Sequence, residues 1–575
     1  MTTATDPQRM ERIVSLCKRR GFIFQSSEIY GGLNGCWDYG PLGTELKNNL
    51  KQYWWRVMVR ERDDVVGMDG SILMNRLVWK ASGHEGTFID MMRECPFTKR
   101  RARVDQIEPQ TGTIMQFTGA QSPAGWKLEG KFKLLMKPKE HIDSFRKRVR
   151  LLVAGNRSPS ILERTFSFFK TEQESEGDWQ ARSGLIERQL TSPTLQSYSI
   201  KVGDVSYAAE ANKIWGKAEE IGLLGEEKVG EVENSIDFHP ETGAQLTEPR
   251  PFNLMFKTYV GATEEETSIT YLRPETAQSI FVQFKNVLDT SRKKLPFGIA
   301  QIGKAFRNEI NPRNFTFRSR EFEQMELEYF CRPEQGMELL EYWKEERLKF
   351  YENIGIPRDK LHVLNVPDAD RAFYSKGTYD IEYEFPFGIQ ELEGVAYRTD
   401  YDLKQHQEAS GKPLDYFDEE TKQRFIPHVV EPSAGVDRTV LALLCNAYDE
   451  ETVTDEKGKS ETRIVLRFHP RMAPIKVGVF PLLKNNEQLV AKAREIQATL
   501  RPHMNVFYDE TGAIGRRYRR QDEAGTPFGV TVDFETLGEK DAALLDTVTL
   551  RHRDSMKQER VKISELLGLL LSQVQ

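Results

Sequence analysis

Apolar residues recur along this chain with two different periods, and the switches between them outline its elements. Near the start, Met10, Ile13, Val14 and Cys17 follow helical spacing. A glycine-rich stretch, Gly31-Gly32-Leu33-Asn34-Gly35 to Gly43, separates them from a second helical pattern carrying Leu46, Leu50, Trp54, Val57 and Met58. From Pro96 to Thr247 the pattern is interrupted and more polar, which predicts inserted material of mixed structure. Alternation returns from Leu254 and runs to Tyr448, predicting a mostly antiparallel sheet with helices. The acidic stretch Asp449 to Glu461 predicts a solvent-facing excursion before a strand over Arg463 to Phe468. After Pro470, Ile475 to Phe480 predicts a buried strand. Glu487 to Leu500 predicts an amphipathic helix with Leu489, Ala493 and Ile496 on one face, and Val506 to Tyr508 predicts another strand. Strand–helix–strand alternation marks a compact α/β domain.

Within the alternating region, Phe297 to Asn308 predicts the first strand of a hairpin. Asn311-Pro312-Arg313-Asn314 supplies the turn and Phe317 to Phe330 returns. Gly298 to Lys304 matches the opening of a P-loop, but Ala305 stands where a magnesium-binding hydroxyl belongs, and the intervening residues alternate as in a strand. On the returning strand, period two puts Arg318, Arg320, Phe322, Gln324 and Glu326 on one face and Met325, Leu327 and Tyr329 on the other. Cations, an aromatic ring and a carboxylate on one face suit a nucleotide with a small charged co-substrate; an exposed charged strand face would carry the same residues. Three further segments carry chemistry. Arg273-Pro274-Glu275-Thr276-Ala277-Gln278 leads into a helix marked by Ile280, Phe281, Phe284 and Leu288. Gly388 to Gly394 puts two carboxylates, Glu391 and Glu393, on one strand face. Glu431-Pro432-Ser433-Ala434-Gly435-Val436-Asp437-Arg438 runs from strand through turn into helix.

The 575 residues require at least two domains, and 39% hydrophobic with 29% charged residues is a soluble globular composition. No apolar run reaches the ~20 residues that span a bilayer, and Met1 to Arg20 lacks the apolar centre of a secretory signal. Five scattered cysteines point to a reducing compartment, so the cytoplasm is expected. A net charge of −6 neither advertises nor excludes a nucleic-acid binder. Two basic clusters could contact phosphate or simply be solvated: Lys131 to Arg150, with eight Lys/Arg against two acids, and Arg516, Arg517, Arg519 and Arg520 around Tyr518.

The strings around Arg307 and Glu309 with Arg318 and Phe322 resemble motif 2 of the class II aminoacyl-tRNA synthetases, and Gly435-Val436-Asp437-Arg438 resembles motif 3. Trp37 to Gly43 and the following helix resemble motif 1, the dimer-forming region of that class. Arg273 to Gln278, Arg320 to Met325 and Glu431 to Gly435 resemble the dimeric glycyl-tRNA synthetases in particular. The likeness covers most of the chain outside 96–247.

The resemblance implies an α+β fold. Residues 1–95 form the N-terminal part of the catalytic domain, 96–247 an insertion, 248–470 the catalytic core (an antiparallel sheet flanked by helices), and 471–575 an α/β anticodon-binding domain. It also implies a homodimer acting on glycine, ATP and tRNA(Gly), with no membrane association. Arg307 is then expected at the α-phosphate, Glu309 at the adenine amino group, Phe322 stacked on adenine, and Arg318 and Arg438 on the outer phosphates. Glu391 is the expected Mg²⁺ ligand, with Glu393 a weaker candidate. Glu275, Glu326, Glu431 and Ser433 are expected to line the glycine pocket, where carboxylates hold the ammonium and crowding excludes a methyl. Many relatives carry two Cys-x-x-Cys pairs in the insertion. Here Cys95-x-x-Thr98 and His239-x-x-Thr242 stand instead, and zinc is not expected. Two other readings compete: a non-catalytic synthetase-like nucleic-acid-binding protein, disfavoured because the nucleotide and amino-acid residues are present, and amino-acid activation for a carrier other than tRNA.

Overall fold

The first helical pattern is α1 (Pro7–Arg20). Proline occupies its first turn, Asp6 accepts a hydrogen bond from the Arg9 N–H, and Gly21, at φ 75°, ends it. The second is α2 (Pro41–Trp55), which buries Leu46, Leu50 and Trp54 and continues as a wider turn over Arg56–Arg60. The computed structural model describes residues 6–121, 127–155, 221–372, 374–454, 460–539 and 541–574. The chain divides into two compact units, Met1–Phe88 with Leu254–Gln575, and Ile89–Asn253.

The first unit is built on a seven-stranded sheet. Its strands are β1 (Val65–Gly67), β2 (Phe297–Phe306), β3 (Glu321–Cys331), β4 (Leu361–Asn365), β5 (Gly377–Phe385), β6 (Gly388–Thr399) and β7 (His428–Gly435). They lie side by side in the order β4-β5-β6-β7-β3-β2-β1. All neighbours are antiparallel except the edge strand β1, which runs parallel to β2. Alternation along β3 serves two layers. Met325, Leu327 and Tyr329 join a core with Trp54 of α2, Trp343 and Tyr351 of α4 (Gly336–Asn353), and Val440 and Leu444 of α6 (Val436–Ala447). On the opposite face, Phe330 packs with Phe297 and Ile299 against Ile280, Phe281, Phe284 and Leu288 of α3 (Ala277–Ser291). A fully buried aromatic stabilises by about 1.5–3 kcal/mol, so these layers hold the sheet rigid beneath the residues described below. A further helix, α5 (Tyr401–Ser410), follows β6.

The P-loop-like string is β2, and its glycines serve packing. A Cβ on Gly303 would stand 2.2 Å from Arg273 Nη2, and one on Gly298 would stand 2.6 Å from Leu327 Cδ1. Arg273, 2% exposed, lies across the strand and donates to Lys304 O and Gly70 O. The returning strand starts later than expected, at Glu321. Asn314 and Phe315, both at φ 58°, open a turn of 3-10 helix over Phe315–Phe317. Arg318 and Arg320 therefore precede the strand and do not share its period.

The excursion expected over Asp449 to Glu461 is instead a hairpin, β8 (Tyr448–Thr454) with β9 (Ser460–Leu466); residues 455–459 lie outside the described residues. Its polar side chains do not prevent pairing, because an antiparallel ladder needs only paired backbone groups. Beyond it stands a five-stranded sheet with β10 (Val477–Pro481), β11 (Val506–Tyr508) and β12 (Phe528–Val532), in which β11 and β12 both run parallel to β10. Helix α7 (Glu487–Leu500) buries Leu489, Ala493 and Ile496 against it. The arginine cluster lies on α8 (Ile514–Ala524), where its members diverge. Arg517, 2% exposed, donates to Glu510 O and Gly512 O, and Arg520 pairs with Asp509, while Arg516 and Arg519 are exposed.

The second unit extends beyond the expected 96–247 at both ends, because Ile89–Glu94 pairs with Arg250–Asn253. Its larger sheet centres on Gln110–Gln121. Residues 156–220 of the expected insertion lie outside the described residues. Lys131 to Arg150 is not one basic face, since it spans the strand Lys127–Met136 and the helix Ile142–Gly155. Within it, Arg148 is buried, paired with Glu140 and bonded to Leu135 O. Cys95, Thr98, His239 and Thr242 are all buried. Cys95 Sγ lies 3.7 Å from Thr242 Oγ1, and His239 Nδ1 accepts from the Glu241 N–H at 3.2 Å. Among the described residues, no helix is long and apolar enough to cross a membrane.

Candidate active site

The mouth of the β2–β3 hairpin, the end of β6 near Gly388 and the start of α6 enclose a polar cavity lined by Arg307, Glu309, Arg318, Phe322, Glu391 and Arg438, with Ser433 and Gln324 at its floor. Arg307 follows β2 directly, and its backbone N–H donates to Arg320 O. Its Nε donates to Pro274 O at 3.1 Å, and its guanidinium sits 5.3 Å from the Phe322 ring and 5.5 Å from the Phe88 ring. Arg318 Nη1 is 4.0 Å from Glu309 Oε2. Arg438, in the first turn of α6, donates to Phe317 O at 3.2 Å and Glu391 O at 3.3 Å, and lies 3.3 Å from Glu391 Oε2. A cavity walled by three guanidiniums and the rings of Phe317 and Phe322 offers chemistry suited to a polyphosphate and a base.

Beneath it Asp437 ties the parts together. Its carboxylate accepts from the Glu323 N–H at 2.7 Å, Tyr39 Oη at 2.6 Å and Lys47 Nζ at 2.9 Å. Lys47 also pairs with Glu323 at 2.7 Å. Burial would raise the Asp437 carboxyl, but Lys47 and these hydrogen bonds hold it below the usual range. A residue of α2 thus fixes the start of α6 to β3.

The second half of the site is a buried ladder of side chains on the α3 face of the sheet. Backbone register aligns Asp380, Gly394, Ser433, Glu326 and Gln301 in one row across β5, β6, β7, β3 and β2. Glu326 accepts from Ser433 Oγ at 2.8 Å, Gln324 Nε2 at 2.8 Å and the Thr276 N–H at 3.0 Å. The last donor caps α3, whose dipole favours a negative charge there. Burial and nearby Glu275 nevertheless raise the Glu326 carboxyl. Glu275 behaves oppositely. Burial acts to raise it, but His84, with Nε2 3.2 Å from Glu275 Oε2, outweighs that and lowers it. One row further along stands Glu431, which accepts from Arg398 Nη1 at 2.9 Å. Burial, partly offset by Arg398, pushes its carboxyl up to about 7. Clustered carboxylates with one guanidinium leave net negative charge, which suits a small cation.

The structure thus brings Arg307, Glu309, Arg318, Phe322, Glu391 and Arg438 around one cavity, with Ser433 joining them to Glu275, Glu326 and Glu431. Two residues depart from their expected places. Arg320 turns away, donating to Glu309 O and to Asn34 O. Glu393 does not share the face of Glu391. Register passes from Ile381–Glu393 to Glu382–Glu391, so Leu392 forms a bulge and the alternation flips. Glu393, 1% exposed, enters the core and accepts from Arg347 Nε at 2.6 Å.

Sequence reading missed His84, Glu328, Arg398 and Asp402. Arg398 gives Nε to Asp402 Oδ2 and Nη2 to Oδ1, both at 2.8 Å. A period-two signal did exist, since Arg398 shares a strand face with Gly394 and Ala396. Glu328 stands two residues beyond Glu326 on β3. His84 carried no signal, because its place depends on contacts between distant segments.

Residues 256–447 match the tRNA synthetase class II core domain (G, H, P, S and T), and residues 476–573 match the anticodon binding domain family. Over its length the chain is similar to the glycine–tRNA ligase of Thermus thermophilus, at 45% identity over 98% of this chain and 98% of that protein. It is likewise similar to the glycine–tRNA ligases of Rhodopirellula baltica, at 42% over 98% and 99%, and Thermobifida fusca, at 42% over 98% and 97%.

Proposed function

The chain belongs to the glycine–tRNA ligase family, and from that premise we propose that it activates glycine with ATP and transfers the glycyl group to the 3′ end of tRNA(Gly). The carboxylate of glycine attacks the α-phosphorus of ATP, and pyrophosphate leaves. The terminal ribose hydroxyl of the tRNA then attacks the activated carbonyl, and AMP leaves. The observation that carries this reading is the junction at Ser433 and Gln324, where a cationic, aromatic cavity meets a buried carboxylate pocket.

Arg307 holds the α-phosphate and neutralises charge developing there, which is where positioning and electrostatics act in this chemistry. Glu309 meets the adenine amino group, Phe322 stacks on the ring, and Arg318 and Arg438 hold the outer phosphates. Glu275, Glu326 and Glu431 surround the glycine ammonium, and Ser433 fixes Glu326. Among the described residues no three His, Cys, Asp or Glu side chains form a metal cage. Mg²⁺ needs none, since it takes one or two carboxylates and completes its shell with phosphate and water. Glu391 with cross-strand Glu382 and nearby Asp380 fits that demand, because burial and the repulsion of Glu391 and Glu382 raise Asp380 to about 6, a strain that a divalent cation would relieve. Bound there with ATP, Mg²⁺ would neutralise phosphate charge.

The protein acts as a homodimer in the cytoplasm. Ile29, Tyr30 and Leu33, exposed at 88%, 87% and 54% beside the motif 1 segment, support a covering second copy, and five free cysteines support a reducing compartment. The carboxy-terminal domain takes the tRNA anticodon. The deciding experiment is pyrophosphate exchange into ATP across the twenty amino acids without tRNA. Exchange with glycine alone is expected, and none with any amino acid from folded protein overturns the reading.

A further inference from the structure

Glu328 is fully buried, and among the described residues neither of its carboxylate oxygens has a hydrogen-bond partner. The register that pairs Glu326 with Ser433 and Tyr329 with Val430 sets Glu328 opposite Glu431, one row behind the ammonium pocket. The ladder is interrupted at this point because Pro432 has no N–H to give. Like charges directly opposite each other across a ladder repel, and a buried carboxylate without donors is strongly disfavoured as an anion.

The surroundings offer no relief. Arg398 faces Glu328 from β6, but its Nε and Nη2 serve Asp402 and its Nη1 serves Glu431. Its one positive charge already meets two carboxylates. From α5 comes Asp402 itself, from β3 Glu326, and from the start of α3 Glu275, all acidic; α3 adds the Gln278 amide, which is held by Glu275 and Asp402. Two histidines complete the surroundings: His84 is engaged with Glu275, and His406 of α5, which burial holds below the usual imidazole range, meets the Gln278 side-chain oxygen at 2.8 Å. Tyr374 lies over Arg398, 4.1 Å from guanidinium carbon to ring centre.

We propose that Glu328 and Glu431 hold one proton between them while the pocket is empty, and that the ammonium of the incoming substrate displaces it to solvent. Glu328 is a positioning residue on this account. It touches no substrate, but its second negative charge becomes tolerable only once a cation occupies the pocket, and it then strengthens the field on that cation. Burial and the facing Glu431 push the Glu328 carboxyl well above the usual range, and burial, partly offset by Arg398, pushes Glu431 up as well.

This inference rests on glycine being the substrate. Its test is glycine titration by calorimetry in buffers of different ionisation enthalpy between pH 6 and 8, with the KM for glycine in pyrophosphate exchange measured over the same range. The wild-type protein is expected to release protons on binding, increasingly so as pH falls, with KM rising up to about tenfold per pH unit on the acid side, the slope of a one-proton linkage. Glu328→Gln imitates the protonated acid. It is expected to release no proton, with a KM that stays flat across the range. Wild-type binding without proton release overturns the proposal whether or not the variant folds. Unchanged proton release in folded Glu328→Gln overturns it as well. Wild-type protein that neither binds nor exchanges glycine overturns the substrate reading itself, a result distinct from both.

Discussion

Ser433 donates from Oγ to Glu326 Oε1 at 2.8 Å, and the two residues are paired across the ladder between β7 and β3. The bond is therefore set by backbone register as well as by side-chain torsion. It holds one oxygen of Glu326 while Thr276 holds the other. Replacing Ser433 with Ala removes a donor to a buried carboxylate, a loss of about 1.5–3 kcal/mol. The KM for glycine is expected to rise roughly ten- to a hundredfold in pyrophosphate exchange, with the KM for ATP unchanged. Equal increases for both substrates would mean that Ser433 serves the whole cavity.

Arg307 lies between the rings of Phe322 and Phe88, anchored through Nε to Pro274 O. Among the described residues its remaining guanidinium nitrogens make no hydrogen bond, which leaves them for phosphate. Arg307→Lys keeps the charge but loses the planar fork. The exchange kcat should fall about 10²–10³-fold, the usual loss when a transition-state donor is removed, with an unchanged melting temperature. A rise in KM alone, with kcat intact, would place Arg307 outside the reacting phosphate.

What could be read from the sequence, and what could not, divides at Glu391 and Glu393. Regular periods revealed α1, α7, the β2–β3 hairpin and the buried rows of α3, because each depends on local spacing and burial of one face. The bulge at Leu392 depends on how β5 pairs with β6, and no spacing announces it. The same holds for Arg398, whose partners come from β7 and α5, and for His84, which reaches Glu275 from far away in sequence.

The bulge makes opposite predictions for the two glutamates. Glu393 and Arg347 form a buried pair, 1% and 0% exposed. Arg347→Met leaves Glu393 without its cation and should cost about 3–5 kcal/mol, read as a lowered denaturation midpoint. Glu391→Gln, half exposed, should leave that midpoint in place and raise the Mg²⁺ concentration needed for half-maximal exchange. The reverse pattern would mean that the strand is regular.

Burial, with Glu391 and Glu382, raises Asp380 to about 6. A carboxyl with a raised pKa is protonated below that value and ionised above it. The Mg²⁺ concentration for half-maximal exchange should therefore be steady above about pH 7 and climb as pH falls through 6. Asp380→Asn should flatten that climb. The glycine dependence, which arises on the other row of carboxylates, should retain its own profile in this variant.

Gly394 stands between Asp380 and Ser433 in the row that crosses the proposed glycine pocket. A Cβ built there meets only Asp380 Oδ1, at 4.0 Å. Its backbone lies in an ordinary extended strand, so the fold itself does not require glycine. The remaining reason is the space in front of it, which borders Ser433 and Glu326, the residues set to hold the substrate. Gly394→Ala should accordingly fold with an unchanged melting temperature and narrow the pocket by one methyl. Overpacking of this size costs typically 1–3 kcal/mol, so the KM for glycine should rise about five- to 150-fold while ATP binding stays constant. Unaltered glycine kinetics in this variant would move the substrate away from the Gly394–Ser433–Glu326 row, whereas a loss of ATP binding would put the methyl in the nucleotide cavity instead.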